Sequence, residues 1–382
     1  MATANVNIYC DDLDQHAKAQ VNLLANHEAF DDGVITIMPD GHAGKVVPIG
    51  FVGYSSYQNP IMINAIGNDI GCGVYCVKYK KPKKGLNFDQ VDSIIREYIP
   101  TGYRIHSNQT YDDIPLHLQG QIPNIKTFKL PFEYIEDKYF NSLGTLGRGN
   151  HFIEIDEDDE DFIYITVHTG SRIIGNIINE YYLKNCSKDE RNKDNPYELT
   201  CIYDEETKTN YLKDVFTATK YAEVNRRLIV HILESKLKLD HRYNFYESMH
   251  NYIVNFATDE KSKPFAISYF KGSMLSAPMK EVVIPINAKE GTIIGRTKYG
   301  SNFIYLPHGS GRKIMRSEVA NNYTVNSYKK MMEGIYSSTI SKNTLDEIPA
   351  AYRSFNDIEE YLAKYIDNIK ILHPIYNFKG GK

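Results

Sequence analysis

The sequence has no tryptophan and only five cysteines in 382 residues. So sparse a cysteine supply excludes a disulfide framework, and any cysteine that matters here acts as a thiolate ligand or a nucleophile. No Cys-x-x-Cys and no His-Glu-x-x-His occurs, which removes the structural zinc finger and the zincin. No run approaches the roughly 18 apolar residues of a membrane span. Met1 to Cys10 has no basic patch followed by an apolar stretch and does not read as a secretory signal. Neither sign of charge dominates: 44 Lys and Arg stand against 48 Asp and Glu, a formal net of −4. A strongly basic nucleic-acid binder is excluded, whereas a local basic groove on a mildly acidic body is not. These absences predict a cytoplasmic, reduced protein with no membrane partner.

What is present is an ordinary soluble balance, 42% hydrophobic and 24% charged, with no repeats and no low-complexity tract. Short apolar runs alternate with glycine-rich turns. Strands are predicted over Val34 to Met38, breaking at Pro39-Asp40-Gly41, over Gly73 to Tyr79 and over Phe162 to Val167. Lys213 to Leu239 has helical periodicity, and a helical insertion is expected over about 205–245. Further strands are predicted at Phe265 to Phe270, Glu281 to Ile286, Thr292 to Gly295 and Phe303 to Leu306. The tail from Ser354 to Ile371 reads as helix, with an extended end from Pro374. No linker divides the chain, so the expectation is one α/β domain (mixed α+β) with helical embellishment.

Of twelve histidines, His42, His151, His168, His250 and His308 differ from the rest. Each adjoins Gly, Asn or Asp in a polar turn, or directly follows an apolar strand. Asp69 and Cys72 share one turn with three glycines, Gly67-Asn68-Asp69-Ile70-Gly71-Cys72-Gly73. A carboxylate and a thiolate so placed can both face one cation, or two cations with the sulfur between them. Mixed O, N and S donors suit Mn²⁺, Zn²⁺ or a similar borderline ion, and spacing does not choose among them. His308-Gly309-Ser310-Gly311-Arg312 is the other candidate, because exposed backbone N–H groups beside an imidazole make a phosphate nest. Arg312 and Arg316 are placed to add bidentate phosphate contacts.

Together these segments resemble the RtcB family of RNA ligases. The matching stretches are Met38-Pro39-Asp40-Gly41-His42, then G-N-D-I-G-C-G at Gly67 to Gly73. L-G-R-G-N-H-F-I-E follows at Leu146 to Glu154, and H-T-G-S-R at His168 to Arg172. Then come His250-Asn251-Tyr252, P-H-G-S-G-R at Pro307 to Arg312, and Lys379-Gly380. They occur in the family's order and span nearly the whole chain.

The resemblance implies one RtcB-like catalytic domain. Its chemistry joins an RNA 2′,3′-cyclic phosphate or 3′-phosphate end to a 5′-hydroxyl end, using GTP and Mn²⁺, in RNA repair or tRNA splicing. It implies that Asp69, Cys72, His151, His168 and His250 hold two metals, with the Cys72 sulfur bridging. His308 is then the nucleophile that becomes a histidine–GMP adduct. Asn150, Glu154, Asn251, Asn287, Thr292, Gly309, Ser310, Gly311, Tyr352 and Lys379 are expected around the nucleotide, Glu154 and Lys379 reading the guanine. Arg172, Arg312 and Arg316 are expected on RNA phosphates, and an archease-like activator is an expected partner.

Two departures stand out. Asn68 replaces the family's usual Val, and the family's P-G-S-M-G loop reads Pro285-Ile286-Asn287-Ala288-Lys289. The altered loop keeps a rival in play, a dinuclear metal phosphoesterase that opens cyclic phosphates without guanylylation.

Overall fold

A computed structural model describes residues 3–82, 84–193, 199–239, 241–256, 265–300 and 302–381. Two sheets carry the architecture. The first has the spatial order Asn5–Ile8, Val34–His42, Ile49–Ser56, Ala266–Lys271, Asn251–Phe256. Its first pair is parallel and the others are antiparallel. The second, all antiparallel, runs Glu281–Asn287, Gly291–Thr297, Ile366–Lys379, Phe152–Glu157, Phe162–Thr169, Gly73–Lys80, Arg242–Met249. Its central strands are buried along nearly their whole length, mainly apolar in Phe162–Thr169 and Gly73–Lys80 but carrying the buried carboxylates Glu154 and Asp156 in Phe152–Glu157. A two-stranded ribbon pairs Ser273–Ser276 with Ile304–Pro307. With helices and strands interleaved, the fold is mixed α/β.

Register in the second sheet brings distant residues to one end. Gly73 pairs with both Thr169 and Met249, and Phe152 pairs with His168. Cys72, His168, His151 and His250 therefore meet at the same rim, although they span 179 positions of sequence. His250 alone separates the edge strand of the second sheet from the edge strand of the first.

The long helix Glu205–Leu237 starts at Asp204, whose side chain accepts from the Thr207 N–H. Its buried side chains join two apolar clusters, Tyr211, Val215, Ala218 and Tyr221 in one and Ile229, Val230 and Leu233 in the other. Each such fully buried aliphatic chain contributes about 1.5–3 kcal/mol. The segment expected as an insertion is thus central packing, and it ends sooner: Arg242–Met249 is strand, because it completes the sheet beside Gly73–Lys80.

Two other expectations are corrected. The strand from Val34 does not break at Pro39. It continues to His42 across a register shift after Ile37, where a residue without an N–H interrupts no ladder bond. The tail is helix only over Asn356–Tyr365, and Ile366–Lys379 is a central strand. Sheet partners on both sides outweigh its helical periodicity and carry Lys379 to the side of Phe152.

Candidate active site

The Asp69–Cys72 turn is held by the long helix. Gly71 has φ +72°, and a Cβ there would lie 2.7 Å from the Ala222 Cβ, so only glycine fits. The fully buried Arg226 donates to the carbonyls of Gly71 (2.7 Å) and Thr169 (3.0 Å). Asn225 does the same for Thr145 and Gly170. The backbone under the cluster is thereby fixed by side chains of one helical turn.

Cys72 Sγ lies 3.2 Å from His168 Nε2 and 3.5 Å from His151 Nε2. His151 Nε2 is 3.2 Å from Asp69 Oδ2, and His168 Nε2 is 3.0 Å from His250 Nε2. Two triads, Asp69–Cys72–His151 and Cys72–His168–His250, each gather their donor atoms within 4.8 Å, with Cys72 common to both. Nδ1 of His151 faces the Leu146 carbonyl and Nδ1 of His168 faces that of Asn150. A carbonyl only accepts, so each ring carries a proton on Nδ1 and turns its Nε2 into the cluster.

Burial, reinforced by His151, pulls the His168 imidazole well below its ordinary value. Burial and then His308 do the same to His250. Burial and the neighbouring Asp69 push the Cys72 thiol far up. For Asp69, burial works upward, but His151, Cys72 and His168 together outweigh it and hold the carboxyl well below the carboxylate range. Converging imidazole nitrogens, two of them held toward the neutral form, beside a thiol and a carboxylate are the donor set of borderline divalent cations. The residues fit a metal pair.

His308 follows the strand Ile304–Pro307. Its Nδ1 sits 2.5 Å from Oδ2 of the fully buried Asp40, which also accepts from the His308 backbone N–H at 3.2 Å. That pairing leaves Nε2 as the available nitrogen. The His308 ring centroid is 4.9 Å from that of His250. Gly311 has φ +76°, and a Cβ there would strike the Asp40 carbonyl at 2.2 Å, so the nest and the aspartate are fitted to each other.

A cleft of about 1030 Å³ opens on these groups. Asp69, Cys72, Asn150, Glu154, His168, His250, Asn251, Asn287, His308, Gly309, Ser310, Gly311, Arg312, Arg316, Tyr352 and Lys379 all line it. At the far end Glu154 is buried, accepting from Thr292 Oγ1 (3.2 Å) and Asn377 Nδ2 (2.6 Å). Burial pushes its carboxyl up, with Lys379 working against the shift. Lys379 Nζ sits 4.7 Å over the Phe152 ring and 3.9 Å from Glu347. Glu347 also takes Tyr352 Oη at 2.5 Å and Arg316 at 3.0 Å. Burial pushes Glu347 up, but Arg316, Lys379 and Arg312 outweigh it and keep it below its ordinary value.

Several expected contacts are occupied by the protein itself. Asn287 closes its own turn, accepting from the N–H groups of Lys289 and Glu290 and donating to the Glu290 carboxylate. The Ser310 hydroxyl donates to the Ile286 carbonyl, and Thr292 faces Glu154. Asn251 braces the Asp69 carbonyl and the Gly272 N–H. Arg172 does not line the cleft: its guanidinium donates to Thr145 Oγ1 and the Gly102 carbonyl. Arg312 lines the cleft but is spent on Tyr352 and the Asp346 carbonyl.

Four residues had no role assigned from sequence. Asp40 lay within a recognised motif, and its pairing across 268 positions is invisible in one chain. Glu347 and Asn377 carry no local signal. Lys271 ends a strand, lines the cleft and donates to the Asn64 carbonyl, and burial pulls it down to about 8.

A family profile described as tRNA-splicing ligase RtcB matches residues 20–380. The chain belongs to the RtcB family. It is 27% identical to RNA-splicing ligase RtcB of Escherichia coli (strain K12) over 372 residues, covering 89% of this chain and 88% of that protein. It is 26% identical to tRNA-splicing ligase RtcB of Nanoarchaeum equitans, with 85% and 83% covered. The corresponding protein of Thermococcus kodakarensis is 23% identical, with 84% and 82% covered. An RtcB family member is an RNA ligase, and among the described residues no helix is long and apolar enough to cross a membrane.

Proposed function

We propose that this RtcB family member joins RNA 2′,3′-cyclic phosphate or 3′-phosphate ends to 5′-hydroxyl ends, consuming GTP through a His308–GMP adduct. One observation carries the reading: the Asp40–His308 pair stands one imidazole away from the five-donor cluster. Asp69, Cys72, His151, His168 and His250 are the residues to hold two Mn²⁺ ions, which when bound neutralise phosphate charge.

His308 supplies Nε2 to the α-phosphorus of GTP. The N–P bond forms as the bond to pyrophosphate breaks. Asp40 keeps the proton on Nδ1 and balances the positive charge that the ring acquires. An oxygen of the RNA 3′-phosphate then attacks the adduct phosphorus, and His308 leaves with its lone pair restored. The 5′-hydroxyl attacks the activated 3′-phosphate, releasing GMP and a proton. A cyclic phosphate is first hydrolysed to the 3′-phosphate.

Guanine selection is assigned to Glu154 and Lys379. An ionised Glu154 accepts from guanine N1–H and the exocyclic amine, which adenine does not match, while Lys379 donates to O6. Thr292 and Asn377 orient the carboxylate.

The test is incubation with α-labelled GTP and Mn²⁺. An acid-labile, alkali-stable adduct that vanishes in His308→Ala is expected. No adduct from the intact chain, with cyclic-phosphate hydrolysis retained, replaces this reading with the phosphoesterase.

A further inference from the structure

Tyr103 is 75% exposed, yet it is held in place. The guanidinium carbon of Arg148 stands 4.2 Å from its ring centroid. Thr101 bridges to Gly147, and Gly102 N–H donates to the Gly147 carbonyl at 2.8 Å. Arg172 ties the same turn down through the Gly102 carbonyl. The turn bearing Tyr103 is thus clamped to the Gly147–Gly149 loop, which leads directly into Asn150 and His151 of the site.

The surroundings are cationic. Arg104 folds over its own turn, donating to the carbonyl and hydroxyl of Thr101. Among the described residues, neither Arg104 nor Arg148 forms an ion pair. Arg316, which lines the cleft, comes within 3.5 Å of where a Gly149 Cβ would sit. Arg148, Tyr103 and Arg104 therefore stand on one side of the Gly147–Gly149 loop, and the ion-paired Arg316 stands at Gly149 on the cleft side. Planar guanidinium and phenol faces beside uncompensated positive charge are the features by which proteins hold unpaired nucleotides.

We infer that Arg148 and Tyr103 form a stacking platform for one unpaired base of the RNA strand whose 3′-phosphate enters the cleft. The platform rests on the RNA-ligase reading. It adds a position outside the reacting groups, and a purchase on the strand that phosphate contacts alone do not give.

The experiment measures binding of the full chain to a short single-stranded RNA ending in a 3′-phosphate, by fluorescence anisotropy. A series with an abasic ribose at each of the three nucleotides before the end is measured alongside. Tyr103→Ala is expected to weaken binding roughly ten-fold, the range of one lost base stack, while Tyr103→Phe binds like the parent. One abasic position weakens the parent and leaves Tyr103→Ala unaffected. Arg148→Lys, which keeps charge and loses the plane, is expected to bind several-fold more weakly.

Equal binding by Tyr103→Ala and the parent overturns the platform. So does full binding by Arg148→Lys, or an identical abasic profile in parent and Tyr103→Ala. Adduct formation by the parent is scored separately. Its absence removes the ligase reading, whereas the binding comparison still decides the platform.

Discussion

At the His308 end of the cleft, imidazole nitrogens face one another and a thiol, with His168 and His250 nitrogens 3.0 Å apart. At the Glu154 end, Glu154, Glu347, Arg312, Arg316 and Lys379 already partner one another or a nearby hydroxyl or amide. The first end is electrostatically incomplete without a cation. The second is self-compensating, so a ligand there must exchange partners with the protein. On the proposed reading this contrast divides affinity from selectivity: the incomplete end would attract, and the compensated end would discriminate.

The sharpest break is at His308. His308→Ala is expected to abolish the guanylate adduct in the labelled-GTP assay. Asp40→Asn removes the acceptor that fixes the ring, and a loss on the order of 10²–10⁴-fold in adduct rate is expected with the fold retained. Normal rates in Asp40→Asn would show that the pair is structural only.

Next comes the shared sulfur. Cys72 belongs to both triads, so Cys72→Ala is expected to lower bound manganese from two ions per chain to fewer than one, read by elemental analysis after gel filtration. Two ions retained in that variant would break the picture of a common ligand. At the opposite end the effect is smaller and selective. Glu154→Gln loses one acceptor, and the preference for GTP over ATP is expected to fall by about 1–3 kcal/mol, roughly 5–150-fold in competition. An unchanged preference would move base reading elsewhere.

The smallest effect concerns Lys271. Burial lowers its pKa to about 8, so the charged form is disfavoured in the folded chain. Its penalty is fully present below about 8 and is relieved as pH rises from there toward the ordinary lysine value. Lys271→Met is expected to raise the melting temperature of the metal-free chain by a few degrees at pH 7, and by less at pH 10. A gain that does not shrink with pH would remove titration of Lys271 as its cause.

The incomplete end was the more legible one in sequence. Its donors sit in short motifs at strand ends, where glycine and a following apolar run mark the turn. The compensated end was read in part. Glu154 and Lys379 were singled out and line the cleft, but Glu347 reaches Arg316 and Lys379, and Asn377 reaches Glu154, across more than 30 residues, and neither leaves a local trace. Chemical type alone also does not show where the protein engages its own side chains. Arg172 suited a phosphate by composition, and its guanidinium serves Thr145 and Gly102. Asn287 suited a nucleotide; it lines the cleft and also closes the four-residue turn to Glu290. The tail failed for another reason, since pairing with strands on both sides overrode a helical pattern in Ile366–Lys379.

His250 is the single residue joining the two sheets at their edges. The cluster proposed to bind ions is therefore also a seam of the architecture. A slip of one sheet past the other by a fraction of an ångström drags a ligand out of place, and a seated ion rivets the two halves together. Stripping the ions with a chelator should thus loosen hydrogen exchange first along Asn251–Phe256 and Arg242–Met249, far ahead of the helix-clamped turn at Gly71.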